Sequence, residues 1–133
     1  MRNRIMVNAA ITAALAVAFA ACGGGGSGSP TSPGGDDGPI AATIVIDATG
    51  TVTPKDVTVP VGSRVTFTNN HSSAHDMNSD PHPAHTLCTS LNVGLISPGQ
   101  SRTSRNLDTA RVCTYHDHNN ETNTALMGTI RVQ

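Results

Sequence analysis

The chain changes character three times along its length. Ile5 to Ala20 is an almost unbroken apolar run, residues 23–39 contain almost nothing that could be buried, and short apolar–polar alternations begin near Ile40. Period-two alternation is the mark of a strand with one buried face. Ala42 to Asp47 reads as a first strand. Thr51 to Val59 alternates loosely around a bend at Pro54 and Lys55. Val57 to Gly62 runs into a turn, and Arg64 to Thr68 alternates cleanly until Asn69 and Asn70 close it. Leu91 to Ile96 is a further strand, Pro98-Gly99 a turn, Ser101 to Leu107 a polar edge strand, and Arg111 to Tyr115 and Gly128 to Val132 the last two. Short strands punctuated by Pro and Gly, with no helical period, predict an all-β fold: an antiparallel Greek-key β-sandwich.

Composition sharpens this. Beyond residue 20 the only aromatic residues are Phe67 and Tyr115, so the core must be built from Val, Ile and Leu, which favour strands. The formal net charge of −1 gives no electrostatic footprint for nucleic acid.

The apolar run predicts export. Arg2 and Arg4 precede it and Ala20-Ala21 end it at Cys22, the layout of a signal peptide. Phe19-Ala20-Ala21-Cys22 resembles the lipobox of bacterial lipoproteins, although Phe19 stands where an aliphatic residue is usual. The resemblance implies acylation of Cys22 and a lipid anchor on the periplasmic or cell-surface side of a bacterial membrane. The expected domains are a signal peptide over 1–21, a lipidated cysteine and linker over 22–39, and a folded domain over 40–133. A Gly/Ser/Pro coil of that size spans roughly 20–25 Å and is too polar to offset its ordering entropy.

Candidate chemistry is concentrated late in the chain. All six histidines lie between His71 and His118, and Cys113-Thr114-Tyr115-His116 precedes Met127 and the final strand. A thiolate, imidazoles and a thioether form a set that suits copper. These residues also carry a family resemblance. Val57 to Asn70, then His75, then Leu95 to Ser101 with its Pro-Gly turn, then Cys113-x-x-His116 and Gly128 to Val132, together resemble the plastocyanin-type cupredoxins in order and spacing. The resemblance implies a copper cofactor held by His75, Cys113 and His116, and a one-electron carrier rather than an enzyme.

The fourth ligand departs from the family pattern. Met127 directly precedes Gly128, and alternation places it on the face opposite Ile130 and Val132, so His118 and Glu121 compete with it as axial donors. Two readings of Cys113 stand side by side. It is either a copper thiolate or, in an exported chain where a pair of cysteines tends to be oxidised, a disulfide partner of Cys88. In the second case an all-histidine copper-sequestering or copper-delivery site is expected. His82 and His85, near Cys88, offer further ligands or a second metal site. His116 and His118 share a face if both lie on a strand, whereas His71 reads as solvated. The implied partners are a redox protein or a copper donor or acceptor, and a lipid membrane through Cys22.

Overall fold

The computed structural model describes residues 35–133; the export segment, Cys22 and most of the linker lie outside the described residues. The described chain forms nine strands: β1 Ile40–Ile46, β2 Val52–Thr53, β3 Asp56–Val59, β4 Arg64–Asn69, β5 His75–Ser79, β6 Gly94–Ile96, β7 Ser101–Thr103, β8 Arg111–Asp117 and β9 Gly128–Val132. Three single-turn 3₁₀ segments, Thr89–Leu91, His118–Asn120 and Thr124–Leu126, interrupt the connections. Among the described residues no helix is long and apolar enough to cross a membrane.

The strands form two sheets, ordered β2-β1-β4-β7 and β3-β9-β8-β5-β6. The expected all-β sandwich is present, and both of its sheets are mixed where antiparallel pairing was expected: β1 runs parallel to β4, and β3 parallel to β9. The reason is the path of the chain after β1. Instead of returning through a hairpin into β4, it spends β2 on the edge of the first sheet and β3 on the edge of the second. It therefore re-enters beside β1 in the same direction.

The inner faces carry one core. Ile44, Ile46, Val65 and Phe67 from the first sheet meet Met77, Ile96, Tyr115, Ile130 and Val132 from the second, all nearly inaccessible. Phe67 and Tyr115 pack edge to face with ring centroids 5.3 Å apart, a favoured arrangement for ring quadrupoles. Burial and the nearby Asp56 carboxylate push the Tyr115 phenol above its ordinary range. It stays neutral and donates its hydroxyl proton to the Lys55 carbonyl at 3.1 Å.

That contact makes Gly128 irreplaceable. Gly128 lies opposite Tyr115 in the β8–β9 register, and a Cβ there would run into the Lys55 carbonyl oxygen and the Tyr115 hydroxyl. Gly128→Ala is expected to lower the urea midpoint by the equivalent of about 3 kcal/mol, the upper end of overpacking costs. A change within the usual surface range of about 0.5 kcal/mol would show that this corner of the sheet yields freely.

Several segments differ from the alternation pattern for identifiable reasons. The edge strand β7 stops at Thr103, but residues 104–107 still follow β4: the Ser104 hydroxyl accepts from the Val65 N–H, and the Leu107 N–H reaches the Ser63 carbonyl. Residues 35–39, within the linker range, are tied to the domain through Asn106 and Arg64. β5 is a strand that alternation does not announce, because His75-Asp76-Met77-Asn78-Ser79 is mostly polar. Only its central position in the second sheet, between β6 and β8, makes it one.

The β1–β2 loop is held by one carboxylate. Asp47 Oδ1 accepts from the Thr49 N–H, the Thr49 hydroxyl and the Thr51 N–H. These hydrogen bonds, the Thr49 hydroxyl first, hold its pKa below the ordinary carboxylate value. A carboxylate whose folded pKa is depressed stabilises the fold above the unfolded pKa of about 4 and loses that contribution as pH falls through the folded value. Asp47→Asn is therefore expected to be less stable than wild type at pH 7, with the two denaturation midpoints converging as pH falls below the depressed folded value. Parallel curves across that interval would show that ionisation of Asp47 contributes nothing.

Candidate metal centre

The register of β5 on β8 determines which histidines meet. Met77 pairs with Asp117, Asn78 with His116, and Ser79 with Tyr115. Because neighbouring residues on a strand face opposite ways, Asp117 and Tyr115 belong to the inner face and His116 to the outer one. His75 shares parity with Met77, so it lies with Asp117 and on the other face of the sheet from His116. The three ligands expected from the sequence do not converge.

Cys113 is also taken. Its sulfur is bonded to that of Cys88 across 25 residues of sequence, with the two Cα atoms 5.8 Å apart. Both residues are buried. The thiolate reading of Cys113 therefore gives way to the disulfide reading, and Cys88 likewise offers no free sulfur. The reason is again parity: Cys113 points inward beside Ile130, where the segment after the histidine loop delivers Cys88, and away from the outer face of His116.

On the outer face four imidazoles do converge. His82, His85, His116 and His118 each offer a ring nitrogen, and these nitrogens lie within 4.8 Å of one another. His116 comes from β8, His118 from the 3₁₀ turn that follows it, and His82 and His85 from the Pro-broken loop after β5. The rings pack closely, with His85 and His116 stacked at 5.1 Å and His82 and His118 at 4.8 Å between centroids. The group grades from buried His116, through half-buried His85 and His118, to exposed His82. It thus has a fixed floor and an open mouth.

Outer partners orient two of the four rings. His116 Nδ1 donates to Asp80 Oδ1 at 2.6 Å, which leaves Nε2 with its lone pair. That Nε2 is buried and has no hydrogen-bond partner among the described residues. His85 Nδ1 donates to the Ser79 carbonyl at 2.8 Å, so its Nε2 is also the lone-pair nitrogen, 2.7 Å from His118 Nδ1. A histidine whose second nitrogen is tied to a carboxylate or carbonyl is the usual arrangement around a bound metal. His85 moreover adopts a left-handed backbone, φ 51°, uncommon outside glycine and typical of functional positions. Its N–H bonds to the Pro81 carbonyl and its carbonyl accepts from Asn92, which hold the loop in that shape.

The remaining expected ligands fall elsewhere. His75 is buried between His71 and Asp117. Glu121 is exposed and stands outside the four-histidine group. Met127 is half-buried just before β9, its N–H bonded to the Thr124 carbonyl. Asp80 and the Ser79 carbonyl were not singled out in the sequence, since their roles depend on a cross-strand register. The crowding of His82, His85, His116 and His118 was visible; His116 and His118 do belong to one group, but His118 reaches it from a 3₁₀ turn and not from a shared strand face.

No family model matches the sequence, and no curated relative does. Solved structures do. A purple cupredoxin from Nitrosopumilus maritimus is 22% identical, with a TM-score of 0.56 over 69% of this chain and 99% of that one. The oxidised plastocyanin of the fern Dryopteris crassirhizoma is 21% identical, with a TM-score of 0.54 over 68% and 99%. A mutant amicyanin in its Cu(I) form is 17% identical, with a TM-score of 0.52 over 70% and 82%. The likeness establishes the architecture: the described domain has the cupredoxin fold.

Proposed function

We propose that this protein binds copper through the four-histidine centre of His82, His85, His116 and His118, and that it sequesters or delivers the ion. The observation that carries this reading is the buried, unpartnered Nε2 of His116 beside three more imidazole nitrogens. An orphaned buried nitrogen costs roughly 1–3 kcal/mol, and a metal would relieve that cost. Imidazole suits copper and zinc alike, and among divalent first-row ions copper generally binds an N-donor site most tightly. The names of the fold neighbours, an amicyanin in its Cu(I) form among them, agree with copper.

The chain's own residues divide the work. Asp80 and the Ser79 carbonyl hold His116 and His85 in the tautomer that presents Nε2. His118 Nδ1, now facing His85 Nε2, must shed its proton toward its other nitrogen before it can ligate. Binding is therefore expected to weaken as pH falls and the imidazoles protonate. His82, being exposed, is the ring best placed to hand the ion to or from a copper donor or acceptor protein.

A one-electron carrier is the second reading, favoured by the fold neighbours, whose names include oxidised and Cu(I) forms. With Cys113 in a disulfide it would operate through imidazoles alone. Copper titration of the purified domain separates these readings. Tight one-to-one binding at the four histidines without an intense visible thiolate-to-copper band supports the all-histidine centre. Such a band, lost in Cys113→Ser, would restore the His75, Cys113 and His116 site.

We further propose that the protein is exported and anchored through acylated Cys22, which places the domain on the periplasmic or cell-surface side of a bacterial membrane. The layout of residues 1–22 supports this. Full-length wild-type chain is expected in the membrane fraction and Cys22→Ser in the soluble one. Equal partitioning of the two would remove the anchor.

A further inference from the structure

We propose that His71 and His75 form a second metal site, separate from the four-histidine centre, which takes a divalent first-row transition ion between His71 Nδ1 and His75 Nε2. The two nitrogens face each other at 2.9 Å. That spacing is also what two cis ligands of one ion require: metal–nitrogen bonds of about 2.0–2.1 Å meeting at a right angle place the nitrogens roughly 2.9 Å apart. The nitrogens would hardly need to separate as an ion replaces the shared proton.

The surroundings are built as an outer shell around a metal-bound histidine. His75 Nδ1 donates to Asp117 Oδ2 at 2.8 Å, and both residues are buried. The carboxylate leaves His75 Nε2 as the lone-pair nitrogen, the arrangement that raises ligand basicity. Asp117 is itself held in place: Oδ1 accepts from the Asp76 and Asn119 N–H groups at 2.9 and 3.2 Å. It therefore orients His75 rather than ligating, and its buried negative charge favours a cation one ring away.

His71 is equally pre-positioned. Asn69, wholly buried, accepts the His71 N–H on Oδ1 and donates from Nδ2 to the Ser73 and Ile96 carbonyls. The His71–His75 loop is thus closed by a side chain that belongs to β4. The pair opens onto a cavity of about 290 Å³ walled also by Thr49, Asn119, Asn120 and Asn123, which gives room and polar partners for the water ligands a two-histidine site needs. His75 lies on the face of the second sheet opposite His116, and His71 reaches it from the loop before β5, so the site borrows no ligand from the four-histidine centre.

The test uses copper(II) alone as probe, with stoichiometry from calorimetry and nitrogen couplings from electron paramagnetic resonance. Wild type is expected to bind two ions. The double variant His85→Ala/His118→Ala should retain one ion coupled to two imidazoles, and adding His71→Asn should abolish it. His71→Asn alone should bind one ion. His71 lies in a loop and is only half-buried, so the variant tests the ligand with little risk to the fold; a circular-dichroism melt checks that. Two outcomes overturn the proposal: one ion per wild-type chain, lost in the double variant, or a His71→Asn protein that still binds two. A second ion that binds only at millimolar copper also counts against it. One ion per chain that disappears with His71→Asn and survives the double variant would keep this site and sink the four-histidine one.

Discussion

His116→Leu is expected to abolish the metal-induced rise in stability while leaving the metal-free protein as stable as wild type or more so. Two facts combine to give this result. In the metal-free state His116 carries a buried Nε2 without a partner, a liability of roughly 1–3 kcal/mol that an apolar side chain of similar size removes. Among the described residues its side chain bonds to Asp80, whose own side chain is 40% exposed and can return to water. His116 is the most buried of the four imidazoles that would hold copper. Its loss should weaken binding by more than the ~10–100-fold expected of Asp80→Asn, which removes only its orienting partner. A ligand present at ~100 times its dissociation constant stabilises a protein by about 2.7 kcal/mol. Wild-type denaturation midpoints should therefore rise with copper, and the His116→Leu midpoint should stay put. A variant that is strongly destabilised without metal would identify His116 as a structural residue, and one that still responds to copper would remove it from the centre.

The disulfide yields the second large effect, in the opposite sense. Cys88→Ala with Cys113→Ala should lower stability by about 3–4 kcal/mol, the loop-closure contribution of a crosslink spanning this many residues, while copper still binds at the four histidines. The crosslink joins the end of the loop that carries His82 and His85 to β8, which carries His116. The affinity should drop modestly as that loop gains freedom, but the stoichiometry should not change. Intact mass before and after reduction checks the bond itself through a two-proton difference. If the double variant loses copper outright while remaining folded, sulfur is part of the site after all.

These two experiments bear on how function sits in this sandwich. The fold is the cupredoxin one, yet the groups a resemblance would gather at one end are dispersed. One sulfur is locked in the core, one imidazole is engaged with Asp117, and one lies on the outer face. The outer face has instead collected imidazoles from a loop and a turn. A fold constrains where strands run and which residues share a face, and chemistry follows from which side chains occupy those faces.

Much of the architecture was legible beforehand. Alternation from Ala42 to Asp47, Arg64 to Thr68, Arg111 to Tyr115 and Gly128 to Val132 located β1, β4, β8 and β9, because each buries one face and a period of two leaves a trace. The turn at Pro60 to Ser63, with Gly62 at φ 82° and the Ser63 N–H on the Pro60 carbonyl, was equally plain. The parity that set Gly128 with Ile130 and Val132 also held in the β8–β9 register. The crowding of histidine between His71 and His118 was plain as well.

β5 left no such trace, since a strand of His, Asp, Met, Asn and Ser takes its conformation from β6 and β8 rather than from its own composition. Everything decided by β5 was hidden with it: Asp80 as the partner of His116, His71 as the partner of His75, and the division of the histidines between two faces. Local sequence therefore determined β1, β4, β8 and β9 and which residue types were available for metal. Only the tertiary structure decided which of them meet, because a one-residue shift in strand register carries a side chain from one face of a sheet to the other, and register is set by contacts that are distant in sequence.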